Sequence, residues 1–380
     1  MNFLSKLPNV GTTIFTTMSA LAREHNAINL SQGFPDYDCD PKLLELVKKY
    51  SLGGYNQYAP MTGVQILRER ISHLMNLCYG ANYHPETEIT ITAGATQGIF
   101  TSIAALVRQG DEVIVFEPMY DCYIPAIEVN GGIVRSIQLQ YPGFTINWQQ
   151  VKETINEKTK LIIINSPHNP SGSTLKENDL LELQKLVAGK NIIVISDEVY
   201  EHMVFDNKEH QSASRFKSLA TQSIIVSSFG KTVHATGWKI GYVAAPKEIM
   251  VEFRKVHQFL VFSVNHALQM ALAEYFEDTT TYKELHQFYQ TKRDYFRKLV
   301  SSSRFILEDC TGTYFQLMNY KNITIETDTD FAIRLTKEKG LATIPLSVFY
   351  VNNKQQQLLR FCFAKKDETL EKAAEIICKL

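Results

Sequence analysis

Six short runs rich in isoleucine, valine and threonine recur through the middle of the chain, at 88–92, 112–116, 161–165, 191–197, 223–228 and 239–244. Stretches of helical character separate them. The runs are near-continuous in apolar residues, so as strands they would be covered on both faces. That pattern asks for a mostly parallel sheet flanked by helices and joined by right-handed crossovers. Ligands bind such sheets outside the carboxyl ends of the strands, so the chemistry should lie just after each run. Beyond about residue 276 the pattern changes. A charged helical stretch at 282–302 leads to Gly312-Thr313-Tyr314-Phe315-Gln316, then a helix, then a strand-like run at 358–364. This reads as a smaller α+β unit. At 380 residues the chain exceeds what one core usually holds, so two domains are expected.

Composition excludes more than it selects. A net charge of −1 gives no reason to expect nucleic acid or an anionic membrane as a partner. No apolar stretch approaches the ~20 residues that a membrane span needs. The N-terminal residues lack the core of a signal peptide. The six cysteines lie far apart with no C-x-x-C pair, which fits reduced thiols in a cytoplasmic protein. Neither they nor the ten histidines have ligand spacing, and no metal site is expected.

The run at 223–228 ends in Ser227-Ser228-Phe229-Gly230-Lys231-Thr232, with Trp238-Lys239-Ile240-Gly241-Tyr242 shortly after. The run at 191–197 ends in Asp197, with Tyr200 three residues on. A lysine, a carboxylate, a phenol and a second cation on separate strand ends are what pyridoxal 5'-phosphate (PLP) chemistry requires. The amine condenses with the aldehyde, the carboxylate pairs with the pyridine nitrogen, the phenol bonds the ring oxygen and the cation meets the phosphate. Plainer readings stand beside each: a solvated lysine, an N-cap aspartate, a core tyrosine. Gly230-Lys231-Thr232 also mimics the end of a nucleotide-binding P-loop, but Ile225 stands where that loop needs glycine.

Further blocks occur in a fixed order: Ser31-Gln32-Gly33-Phe34-Pro35-Asp36, Asn56-Gln57-Tyr58-Ala59-Pro60, Thr92-Ala93-Gly94-Ala95-Thr96, Asn165-Ser166-Pro167-His168-Asn169-Pro170, Ser196-Asp197-Glu198-Val199-Tyr200, the lysine block, and Leu359-Arg360-Phe361-Cys362-Phe363. Together they resemble fold-type I, class I aminotransferases, in the branch holding bacterial methionine aminotransferases and kynurenine/glutamine aminotransferases. The resemblance covers roughly residues 28 to 365. It implies an α/β fold with a large PLP-binding domain at 46–276, whose mostly parallel sheet is flanked by helices. Residues 1–45 and 277–380 would form the smaller α+β domain, as in aspartate aminotransferase.

The resemblance also assigns roles. Lys231 would be the Schiff-base lysine and later move the Cα proton. Gly94, Ala95 and Thr96 open a helix whose N-terminal amides suit a phosphate, helped by Ser228 and Lys239. Many relatives carry arginine where Lys239 stands, and lysine offers a point charge rather than a fork. Tyr120 would stack on the pyridine ring, Asp197 pair with its nitrogen, and Asn169 and Tyr200 reach the ring oxygen. Arg360, in an apolar strand, would grip the substrate α-carboxylate, with Asn169 and Gly33 nearby. Tyr58, Phe262 and Ser263 match positions donated across a homodimer interface.

The implied reaction moves an amino group from an amino acid to a 2-oxo acid. Segments 12–18, 56–62 and 259–266 contain no arginine but offer Ile14, Phe15, Met61, Phe259, Leu260, Val261 and Phe262. Such a pocket cannot pair a distal carboxylate, so the expected donor is methionine or another large uncharged or aromatic amino acid. Kynurenine transamination and carbon–sulfur β-lysis are the alternatives within the fold, and a P-loop nucleotide hydrolase the alternative outside it.

Overall fold

The computed structural model describes residues 3–380. Its strands are β1 (Ile28–Asn29), β2 (Ile89–Thr92), β3 (Glu112–Glu117), β4 (Ile133–Gln138), β5 (Thr159–Asn165), β6 (Ile193–Asp197), β7 (Ser223–Ser228), β8 (Gly241–Ala244), β9 (Ile306–Leu307), β10 (Phe315–Asn319), β11 (Leu341–Ala342), β12 (Ile344–Pro345) and β13 (Leu358–Cys362). Seven of them form one sheet in the order β2-β8-β7-β6-β5-β3-β4. Strands β4, β3, β5, β6 and β7 run parallel, while β8 runs antiparallel to both of its neighbours, β7 and β2. Every residue of β2, β3 and β8 is buried, as a sheet covered on both faces requires.

Two details differ from the sequence pattern. Strand β4 was not among the six apolar runs. It is one of the two edge strands and, unlike the buried β2 at the other edge, is mostly unburied and carries Arg135, Ser136 and Gln138; only a strand covered on both faces advertises itself by an apolar run. The last run, expected from 239, begins its ladder only at Gly241, and Lys239 lies before it in the left-handed region at φ 53° after a 3₁₀ turn. The antiparallel sense of β8 gives this consequence: its first residues lie at the edge where the parallel strands end. Lys239 therefore joins the residues that follow β2, β6 and β7.

A second sheet, β12-β13-β10-β9, is antiparallel. The long helix Leu285–Leu299 and the C-terminal helix Asp367–Ile377 turn their apolar stripes inward, burying Phe296, Leu370 and Ile377. Strand β1 pairs parallel with β11, which ties the N-terminal segment to the C-terminal third of the chain. Among the described residues, no helix is long and apolar enough to cross a membrane, and no His/Cys/Asp/Glu group could hold a metal. All six cysteines are unbridged.

Candidate active site

A cavity of about 450 Å³ opens at the carboxyl ends of the parallel strands. At one end, β2 passes into the helix Ala95–Leu106 through Gly94, at φ 81°, a conformation that strains any other residue. A Cβ on Gly94 would stand 3.3 Å from Lys239 Cε and 3.4 Å from Nζ, so the lysine lies directly against this turn. Gly241 has the complementary role: a Cβ there would approach Ser227 O to 2.4 Å and Ala95 N to 3.1 Å. The two glycines let β8 and the helix start close together. The first turn of that helix has no side-chain cap, leaving its N–H groups, Thr96, Ser228 and one ammonium group around a single spot. That is a site for a phosphate.

The middle of the cavity holds Tyr120, Asn169, Asp197, Tyr200 and Lys231. Asp197 ends β6 and is buried, accepting 2.5 Å from the Tyr123 hydroxyl and 3.4 Å from the Val199 amide. Burial raises its carboxyl to about 6, partly offset by those hydrogen bonds. Lys231 sits on the short helix Phe229–Thr232 after β7. Its Nζ donates to Tyr314 Oη at 2.9 Å and Gly33 O at 3.2 Å. Burial, with the cations of Lys239 and Arg360 adding to it, lowers the amine from 10.5 to about 8. The Tyr200 ring packs edge-on against Tyr314, and the Lys231 ammonium stands 5.6 Å from its centre.

Arg360 closes the far end. It lies on β13, is 1% exposed, and sits among phenylalanines, with its guanidinium carbon 3.9 Å from the Phe315 ring centre and 5.2 Å from that of Phe15. Nη1 donates to Asn169 Oδ1 at 2.7 Å and Nη2 to Ser31 O at 2.9 Å. Nε has no partner, and Arg360 has no carboxylate within ion-pair distance among the described residues. Burial lowers it from 12.5 to about 10. Asp121 supports its charge from beyond ion-pair distance, and a desolvated guanidinium whose contacts are neutral oxygens suits an anion.

The structure thus brings Gly33, Gly94, Ala95, Thr96, Tyr120, Asn169, Asp197, Tyr200, Ser228, Lys231, Lys239 and Arg360 to one cavity. It does not bring Tyr58, Phe262 or Ser263 there. Tyr58 is 80% exposed and its ring packs edge-on against Phe262, itself half-exposed, at 5.2 Å; Ser263 bonds the Ala59 carbonyl. Sequence reasoning missed Tyr123, Asn165 and Tyr314 as site residues. Asn165 Oδ1 accepts from the Asn169 amide while its Nδ2 donates to Asp197 O, fixing both. Asn165 and Tyr314 were both inside blocks singled out above, but nothing in the sequence tells which member of a block meets the site.

The family model for aminotransferase class I and II matches residues 25–377. The chain belongs to this family. It is 48% identical to methionine aminotransferase of Escherichia coli, over 99% of this chain and 98% of that one. It is 34% identical to kynurenine–oxoglutarate transaminase of Dictyostelium discoideum, over 97% and 94%. The solved structure of Escherichia coli YbdL, described as having a methionine aminotransferase function, superposes with a TM-score of 0.98 over 100% of both chains. That of N-succinyldiaminopimelate aminotransferase from Mycobacterium tuberculosis does so with 0.94 at 35% identity, again over 100% of both chains.

Aminotransferases of this class and fold are PLP-dependent, and this enzyme's cavity suits that cofactor. It offers an ammonium and free helix amides for a phosphate, a buried carboxylate for a pyridinium, and a lysine of lowered basicity for an aldehyde. Each group is a poor tenant of a dry cavity alone and a good one beside its complement.

Proposed function

We propose that this aminotransferase moves the amino group of methionine, or of another large uncharged or aromatic amino acid, to a 2-oxo acid. Arg360 carries the reading: a buried guanidinium with a free Nε, and with no carboxylate within ion-pair distance among the described residues, suits a substrate α-carboxylate. The rest of the cavity argues the side chain. Its three cations are Lys231, Lys239 and Arg360, each with a task already. None is left for a distal carboxylate, whereas Phe15, Phe34 and Phe315 offer apolar surface. Identity of 48% to a methionine aminotransferase supports the same choice.

When bound, PLP supplies an electron sink for the carbanion formed at the substrate Cα. The protein does the rest. Arg360 and Asn169 fix the carboxylate end of the amino acid, which aims its Cα–H bond at Lys231. The Lys231 amine, with its basicity lowered to about 8, can take that proton near neutral pH and return it to the product. Asp197 would keep the pyridine nitrogen protonated. Tyr200 and the Asn169 amide would hold the ring oxygen, Tyr120 cover the ring face, and Ser228, Lys239 and the Gly94–Thr96 turn anchor the phosphate. The same reading makes residues 46–276 the large domain and residues 1–45 with 277–380 the small one. It makes the enzyme a cytoplasmic homodimer in which Tyr58, Phe262 and Ser263 complete the partner's site. The exposed rings of Tyr58, Phe259 and Phe262 support that patch as an interface.

The test is kcat/KM for methionine, phenylalanine, kynurenine and aspartate with one common 2-oxo acid. Methionine and phenylalanine should lie within about a hundredfold of each other, since a methylene in an apolar pocket is worth ~1–3 kcal/mol. Aspartate should trail both. Aspartate as the best donor would overturn the pocket argument, and kynurenine as the best would move the enzyme to the relatives named for it.

A further inference from the structure

The helix Tyr123–Val129 begins immediately behind the cofactor pocket. Its first residue, Tyr123, is buried and points its hydroxyl at Asp197 Oδ2, 2.5 Å away. Among the described residues no other side chain donates to that carboxylate; the remaining contact is the long one from the Val199 amide to Oδ1. The backbone behind Asp197 is held independently, through Asn165 Nδ2 on its carbonyl. Two separate contacts therefore fix the main chain and the carboxylate.

We propose that Tyr123 is a positioning residue for the cofactor: its phenol orients the Asp197 carboxylate and keeps it anionic, so that the carboxylate holds the proton on the pyridine nitrogen. The proposal rests on the reading of Asp197 given above. A neutral phenol can only donate here, and burial pushes its own ionisation far up, so it stays a donor at every working pH. The hydrogen bond opposes the burial that would otherwise protonate Asp197. The titratable groups facing that carboxylate are Tyr120 and Cys122 from the turn before the helix, Tyr123 on it, Glu198 next along the chain, and Lys231 from the end of the neighbouring parallel strand β7. Glu198 disfavours the anion and Lys231 favours it, but Lys231 is committed to the cofactor in the working enzyme. Tyr123 is then the side chain left to sustain the charge.

The test uses the PLP-loaded enzyme, with Tyr123→Phe, Asp197→Asn and the double variant. Two quantities are read: the PLP dissociation constant, and the pH midpoint of the visible absorbance of the bound cofactor. Loss of a hydrogen bond to a charged group should raise the dissociation constant on the order of tenfold in Tyr123→Phe. A less protonated pyridine nitrogen repels a proton at Lys231 less, so the absorbance midpoint should move to higher pH. In the Asp197→Asn background the tyrosine change should add nothing, because Tyr123 acts through Asp197. Replacing Tyr123 with 3-fluorotyrosine keeps the ring and strengthens the donor; its midpoint should move the opposite way, which tests the proposal even if the phenylalanine variant folds poorly. Unchanged affinity and midpoint in Tyr123→Phe, with Asp197→Asn impaired, would overturn the role of Tyr123 alone. An unimpaired Asp197→Asn would overturn the reading of Asp197 beneath it. Equal effects of Tyr123→Phe with and without Asp197 would make the tyrosine merely structural.

Discussion

Arg293 and Arg360 are both buried arginines near the second sheet, and the protein provides for them in opposite ways. Arg293 spreads its fork over both oxygens of Asp206, at 2.6 and 2.8 Å, and bonds Asp294 and the Cys310 carbonyl as well. Burial would lower its basicity, but those carboxylates raise it overall. Arg360 meets an amide oxygen and a carbonyl, and burial lowers it to about 10. The same contrast separates Asp197 from Glu201. Glu201 is as buried, yet Ser227, Tyr79 and Tyr242 all donate to it; with the charge of nearby His202 they outweigh its burial and lower it. Asp197 has one phenol and a long amide contact, and is raised to about 6. Arg293 and Glu201, outside the cavity, are saturated with partners. Arg360 and Asp197, inside it, are left short of partners, a deficit that a ligand carrying the complementary charges would complete.

The arginine pair gives the widest expected separation. Truncating one partner of a buried charged contact costs roughly 2–5 kcal/mol. Arg360→Ala should therefore lose on the order of thirty- to several-thousand-fold in amino-acid kcat/KM, at ~1.4 kcal/mol per decade. Its melting temperature should hold or rise, because a desolvated charge is gone. Arg293→Ala should do the reverse, losing roughly 2–3 kcal/mol of stability with turnover per folded molecule largely kept. Denaturant unfolding and steady-state kinetics on both variants check this. Parallel losses in both quantities for both arginines would erase the distinction.

How much of this contrast was legible beforehand follows from its physics. Lys231, Asp197, Gly94 and Arg360 stand out because each is chemically out of place, at the end of or within an apolar run. The parallel sheet was legible for the same reason, from strands covered on both faces. Strand β4 was not, since its polar residues face solvent on the sheet edge. Tyr123 was not, because it lies in Tyr120-Asp121-Cys122-Tyr123, where either tyrosine could face the site. Only the helix starting at residue 123 decides which phenol meets Asp197. Partner choice across long separations, such as Lys231 with Tyr314, is fixed by packing that local sequence does not encode.

The carboxylates give a smaller separation, with opposite signs in pH. The folded, cofactor-free protein holds the Asp197 proton more tightly than the unfolded chain, whose value is near 3.8. That contribution to stability is complete below pH ~4 and is lost as pH rises through about 6. Asp197→Asn lacks it, so the variant should gain on the parent between those limits by roughly 3 kcal/mol and then stay level. Glu201 is shifted downward, so its stabilisation is present above the ordinary carboxylate range and lost as pH falls. Glu201→Gln should cost roughly 1–3 kcal/mol at neutral pH, with the deficit shrinking in acid. Thermal melts of the cofactor-free proteins from pH 4 to 8 would reveal both slopes. A matching slope in the two variants would contradict the division between completed and incomplete charge.

The central claim is that the counter-ion missing from Arg360 is the α-carboxylate of the amino donor. It is tested most directly by comparing methionine with methionine amide as donors, in the parent and in Arg360→Ala, by the rate at which each bleaches the visible cofactor absorbance. The parent should prefer methionine by on the order of a hundredfold or more, and the variant should lose most of that preference, because the group that distinguishes the two donors is gone. A preference for methionine that survives undiminished in Arg360→Ala would place the carboxylate elsewhere and leave Arg360 a structural residue.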